Sequence, residues 1–98
     1  MIFDIHPSAS DELDNAVRHY EKIQEGLGIE FLEEVYATIQ RILRFPEAWV
    51  KISKYCRRCL THRFPFGVIY QIEESKIRVI AVMQLNRKPG YWKNRVIR

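Results

Sequence analysis

The stretch from Met83 to Arg95 reads MQLNRKPGYWKNR, and it gathers side chains that could hold a polyanion. Arg87, Lys88, Lys93 and Arg95 supply cations, while Tyr91 and Trp92 supply flat surfaces on which a base can stack. The same residue types anchor protein interfaces, since Tyr, Trp and Arg join large contact area to a hydrogen-bonding tip. Composition leaves the two readings level. Hydrolysis of RNA through its own 2′-hydroxyl would need a group to take that proton, a cation over the phosphate and an acid for the leaving oxygen. Arg63, Arg87 and Tyr91 could fill some of these roles, but no carboxylate or histidine is clearly placed as the base.

Other candidates are weaker. His62 and Arg63 stand before Phe64-Pro65, where a general base beside a phosphate clamp is conceivable, although one histidine in a basic strand is more often a surface residue. His6 and His19 have no metal-ligand partner at a suitable spacing. Cys56 and Cys59 form a single CxxC with no second pair. On a strand, residues three apart point to opposite faces, so these sulfurs share neither a metal nor a bridge. No metal and no cofactor is expected.

The elements that must position these residues follow from periodicity. Met1 to His6 alternates around Phe3 and Ile5 and reads as a short strand ended by Pro7. Ser8 suits an N-cap, with Asp11 reaching back and Glu12 adding favourable charge to the first turn. Ala9, Leu13, Ala16, Val17 and Tyr20 then recur at helical steps to about Gln24. Gly26 and Gly28 bracket a tight link. A stronger stripe follows at Leu32, Val35, Tyr36, Ile39, Ile42 and Leu43, stopped by Phe45-Pro46. Helices so closely linked should form an antiparallel hairpin.

Three strands are expected next, at Cys56 to Arg63, Phe66 to Ile72 and Ile77 to Met83, with Glu73 to Lys76 turning between the last two. In IRVIAVM apolar residues fall on both alternating sets, as in a central strand covered on both faces. The expected architecture is α+β: an N-terminal strand, an antiparallel helical hairpin and a three-stranded antiparallel meander. The helices cover one sheet face and the other is free to act.

At 98 residues the chain forms a single domain, 1–98, with one modest core burying somewhat over ~60% of its unfolded surface. No apolar run suits a membrane span, and MIFDIHPSAS lacks the features of a secretory signal, so a cytoplasmic location is expected. Charge is polarised along the chain. Residues 1 to 50 hold four Lys/Arg against ten Asp/Glu, a net of −6, whereas residues 51 to 98 hold twelve against two, a net of +10. Such a field draws polyanions or an acidic partner to the second half.

HRFPFGVIYQIEESKIRVIAVMQLNRKPGYWKNR resembles the end of the ParE branch of the RelE/ParE toxin superfamily, the plasmid-stabilisation toxins. Arg63, Phe64, Pro65, Tyr70, Ala81, Val82, Arg87, Pro89, Tyr91, Trp92 and Arg95 carry the match, and GLGIEFLEEV resembles the family's second helix. The likeness spans nearly the whole chain and implies the RelE/ParE toxin fold. It also implies the toxin of a type II toxin–antitoxin pair that inhibits DNA gyrase without catalysis and is neutralised by a cognate antitoxin. The implied partner or target surface is Arg63, Arg87, Lys88, Tyr91, Trp92, Lys93 and Arg95.

Two departures bear on the ribonuclease branch of the superfamily. Gln84 stands where the family often has histidine, and Gly67 stands where the RelE-type ribonucleases carry an arginine on the middle strand. Two alternatives therefore rank behind gyrase inhibition. One is a ribosome-dependent mRNA interferase using Arg63, Arg87 and Tyr91, which would contact nucleic acid or the ribosome. The other is a toxin relic that only binds.

Overall fold

The computed structural model describes residues 1–98. Strand β1 (Ile2–Ile5) leads into helix α1 (Pro7–Ile23) and helix α2 (Leu27–Arg44), followed by strands β2 (Val50–Lys51), β3 (Cys56–Leu60), β4 (Phe66–Glu73) and β5 (Lys76–Gln84). A short 3₁₀ turn at Lys93–Arg95 closes the chain. The strands form one sheet in the order β1-β5-β4-β3-β2. The expected meander is present as β3-β4-β5, paired antiparallel. Two features enlarge it. β1 runs parallel to β5 on the far edge, and the two-residue β2 lengthens the other edge.

Local chemistry explains the helix ends, with corrections to the sequence reading. Pro7 is the first residue of α1, where its missing N–H costs nothing, and the N-cap is His6, not Ser8. His6 Nδ1 accepts the Ser8 N–H at 3.0 Å, doing what a Ser or Asp oxygen does elsewhere. Glu12 does not serve the first turn; it reaches the sheet, as described below. At the hairpin, Gly26 takes the left-handed conformation (φ 88°) that glycine adopts without penalty. It has no side chain to cap α2, and Glu21 of α1 supplies the carboxylate, accepting the Gly26 and Gly28 N–H groups at 3.0 Å each.

Gly28 lies inside α2 rather than in the link. A Cβ there would stand 2.7 Å from the Val17 carbonyl oxygen, so glycine is what lets the helices approach this closely. α2 ends at Arg44 with Phe45 as its C-cap, as the following proline requires.

The hairpin buries its stripes on one sheet face. Ala9, Leu13 and Ala16 of α1 and Phe31, Val35, Ile39 and Ile42 of α2 meet Cys59, Val68, Tyr70, Val79 and Val82. Tyr20, Phe31, Phe64 and Phe66 form an aromatic knot within it, with centroids 4.7 to 6.2 Å apart. Phe64 joins the knot from a loop at φ 69°, so in the Arg63-Phe64-Pro65 motif it is Phe64 that packs, while Arg63 and Pro65 stay exposed. β3 stops at Leu60, short of the expected Arg63, because Thr61 to Pro65 form this loop. Tyr70 ties β4 to the end of α2 by donating to the Pro46 carbonyl at 2.5 Å, and burial pushes its phenol up to about 12.

The opposite face is not free. Cys56, Ile69, Ile80, Ala81 and Met83 are covered there by Trp92, with Ile52, Tyr91 and Val96 around them. The CxxC sulfurs therefore fall in separate clusters on opposite faces, as strand geometry requires.

Candidate partner-binding surface

The site begins with a mismatch of strand lengths. β5 has nine residues and β1 only four, and their pairing ends at Ile5 opposite Val79. Beyond that point the β5 edge has no strand beside it. A bulge lies there too: Tyr70 pairs with Val79 and Ile69 with Ala81, so Ile80 is the extra residue. The bulge turns Ile80 and Ala81 to the helix-free face and returns Val82 to the helical core.

Side chains satisfy the exposed edge in place of a strand. Glu12 accepts the Val82 N–H at 3.1 Å, and Arg95 donates to the Ile80 carbonyl at 3.1 Å. The same two residues form an ion pair at 3.0 Å, each side chain only 14% exposed. Glu12 also accepts the Tyr91 hydroxyl at 2.6 Å. One carboxylate of α1 thus fixes together the edge of β5 and the segment that follows it, residues 85–98, the C-terminal strap. The strap has a second anchor, where Gln71 donates to the Ile97 carbonyl and accepts the Ile97 N–H at 3.0 Å.

The expected site residues separate into three groups. Arg87, Tyr91 and Arg95 come together: the Arg87 guanidinium lies 4.0 Å from the Tyr91 ring centroid and that of Arg95 5.2 Å. Lys88 and Lys93 are exposed beside them. Trp92 is buried at 3% exposure against the sheet, so it offers no face for stacking a base or a partner side chain. Arg63 stands apart, pairing with Glu30 of α2 at 3.0 Å on the helical side. His62 is exposed, and only its backbone N–H is engaged, by Glu34 at 2.5 Å.

Tyr91 is held as a neutral phenol. Burial and then the Glu12 hydrogen bond push it well above the ordinary tyrosine value. Gln84 ends β5 in an open cleft of roughly 320 Å³ between α1 and the sheet, lined also by His19, Tyr20, Val82 and Arg87. His19, to which the sequence assigned no role, is therefore the histidine that shares a cleft with Arg87.

Glu12 is the residue that sequence reasoning missed. A signal was present: it lies three residues after Ala9 and four before Ala16, on the buried stripe of α1, where an unpaired carboxylate would be costly. No group of three His, Cys, Asp or Glu is placed to hold a metal ion. No helix is long and apolar enough to cross a membrane.

A sheet with one helical hairpin on it and a basic C-terminal strap under it is a small α+β architecture. It is shared by a solved structure described as the chromosomal ParDE toxin–antitoxin system from P. aeruginosa, with a TM-score of 0.74 at 13% identity over 88% of this chain and 97% of that one. No curated protein matches. The family model described as the ParE toxin of the type II toxin–antitoxin system, parDE, matches residues 3–89. The chain belongs to the ParE toxin family.

Proposed function

We propose that this toxin acts in the cytoplasm by inhibiting DNA gyrase through binding alone, and that a cognate antitoxin neutralises it. The observation that carries the non-catalytic reading is the commitment of Tyr91 and Arg95 to Glu12. A ribonuclease built on Arg63, Arg87 and Tyr91 would need those groups free around one phosphate. Instead Arg63 pairs with Glu30 on the helical side and the Tyr91 hydroxyl is donated to Glu12. Exposed Arg87, Lys88 and Lys93 suit an acidic antitoxin segment, which would lay carboxylates over the basic strap, while Trp92 supports the surface from beneath.

The direct test is supercoiling of relaxed plasmid by purified gyrase. Stoichiometric toxin should abolish it, and Arg87→Ala should weaken the inhibition. Undiminished supercoiling, together with RNA cleavage that is lost in Arg87→Ala, would replace this reading with the ribonuclease one.

A further inference from the structure

The sheet's outer edges are finished in different ways. At one end, β2 is only two residues long and carries Lys51, and short edge strands and lysines keep a sheet from pairing with another. At the other, the stretch of β5 beyond β1 is capped by Glu12 and Arg95. β1 itself has neither protection. It is a four-residue strand, Ile2-Phe3-Asp4-Ile5, with no proline, lysine or bulge.

The His6 N–H donates to the Val79 carbonyl, which sets the alternation of this parallel pair: Ile2 and Asp4 turn their backbone groups to β5, and Phe3 and Ile5 turn theirs outward. The side-chain bonds made at β1 go to Asp4 and His6, so the outward groups are left open. The edge is also apolar. Met1 and Ile2 are 60% and 70% exposed, and the half-exposed Tyr36 ring stands 6.4 Å from that of Phe3 on the helical side. Asp4, the one charge of the strand, is already paired with Lys76 at 2.9 Å and Arg78 at 3.5 Å on the other face.

We infer that the β1 edge is a self-association surface whose occupant is β1 of a second copy, paired antiparallel about a two-fold axis at Phe3. The strand's own sequence selects this register. Directly opposed residues of an antiparallel pair lie on one face, so the axis falls at Phe3 or at Asp4. At Asp4 it would set two carboxylates against each other. At Phe3 it lets Phe3 exchange both backbone bonds with the partner's Phe3, brings each Ile5 N–H to the partner's Met1 carbonyl and sets Ile2 against the partner's Asp4, which is already neutralised. A foreign strand would have to supply this complementarity, whereas a second copy carries it. The two-fold uses up both edges, so assembly stops at a dimer. Strands this short bury less than the ~1,200 Å² of stable complexes, so the dissociation constant should be on the order of tens of micromolar. The inference is independent of gyrase inhibition, which rests on the strap.

Sedimentation velocity over a concentration series tests it, with amide exchange to locate the contact. Mass should rise from monomer to dimer, and the Phe3 and Ile5 amides should slow with concentration while those of α2 stay constant. Ile2→Asp sets a carboxylate opposite the partner's Asp4 at both ends of the pairing, and should weaken dimerisation about tenfold. Ile2→Lys sets an ammonium there and should leave the affinity within about threefold. Both replace an exposed side chain, so the thermal midpoint of the monomer should hold. Equal weakening by the two substitutions would overturn the two-fold pairing at Phe3. A dimer dissolved by Arg87→Ala and indifferent to Ile2→Asp would overturn it too, by moving self-association to the strap. A chain that stays monomeric up to millimolar concentration would contradict the inference outright and leave the edge to a foreign strand.

Discussion

The two faces of the sheet are built by different means. On one, two long helices bury a fourteen-residue apolar cluster through interlocking side chains. On the other, a six-residue cluster is closed by a strap that follows β5 and is fastened by polar anchors, Glu12 to Tyr91 and Arg95, and Gln71 to Ile97. The charges divide similarly. Most carboxylates lie in the half of the chain that forms the hairpin, and most cations lie in the half that forms β3 to β5 and the strap. The larger apolar core thus lies on the first face and the basic strap on the second, so one should be alterable while the other stands.

The largest effect should come from opening the helical face. Phe31 is fully buried at the centre of the aromatic knot, and Phe31→Ala should cost about 4 kcal/mol in urea denaturation, enough to unfold much of a small domain. Glu12→Ala should cost less, about 3 kcal/mol, because it strands the partly buried Arg95 and the Val82 N–H. Hydrogen exchange sharpens the contrast. Amides from Tyr91 to Ile97 should lose protection in that variant while those of α2 keep theirs, and equal loss in both would mean that the faces are not separable.

The smallest effect concerns the start of α1. His6→Ala removes the cap and should cost about 1 kcal/mol. Burial, then the charges of Arg78 and Arg95, lowers the His6 pKa below its ordinary 6.5. A base lowered in this way contributes stability that is fully present above 6.5 and lost as pH falls through the folded value. His6→Asn retains a capping oxygen and should flatten this acid-side decline, whereas an unchanged pH profile would remove His6 from the account.

Much of this architecture is legible in the amino-acid sequence. The α2 stripe and its Phe45-Pro46 stop are local signals, and so is the double-sided apolar pattern of β5. The parallel pairing of β1 with β5 is not, because its partners are more than seventy residues apart and no local periodicity encodes register. β2 is too short to carry a pattern. Glu12 misleads because a carboxylate near a helix start has a ready local explanation, whereas its partners lie in β5 and beyond. Trp92 fits an exposed stacking role by type, and only the strap's return across the sheet buries it. Gly67 marks the limit of reading one strand alone, since the Arg58 side chain of β3 lies over it, 3.1 Å from where a Cβ would stand.

The most direct test of the functional reading is brief induction of the toxin in bacterial cells with parallel pulse-labelling of DNA and protein synthesis. The account predicts that DNA synthesis falls first and protein synthesis follows later. Early arrest of protein synthesis with DNA synthesis intact would contradict it.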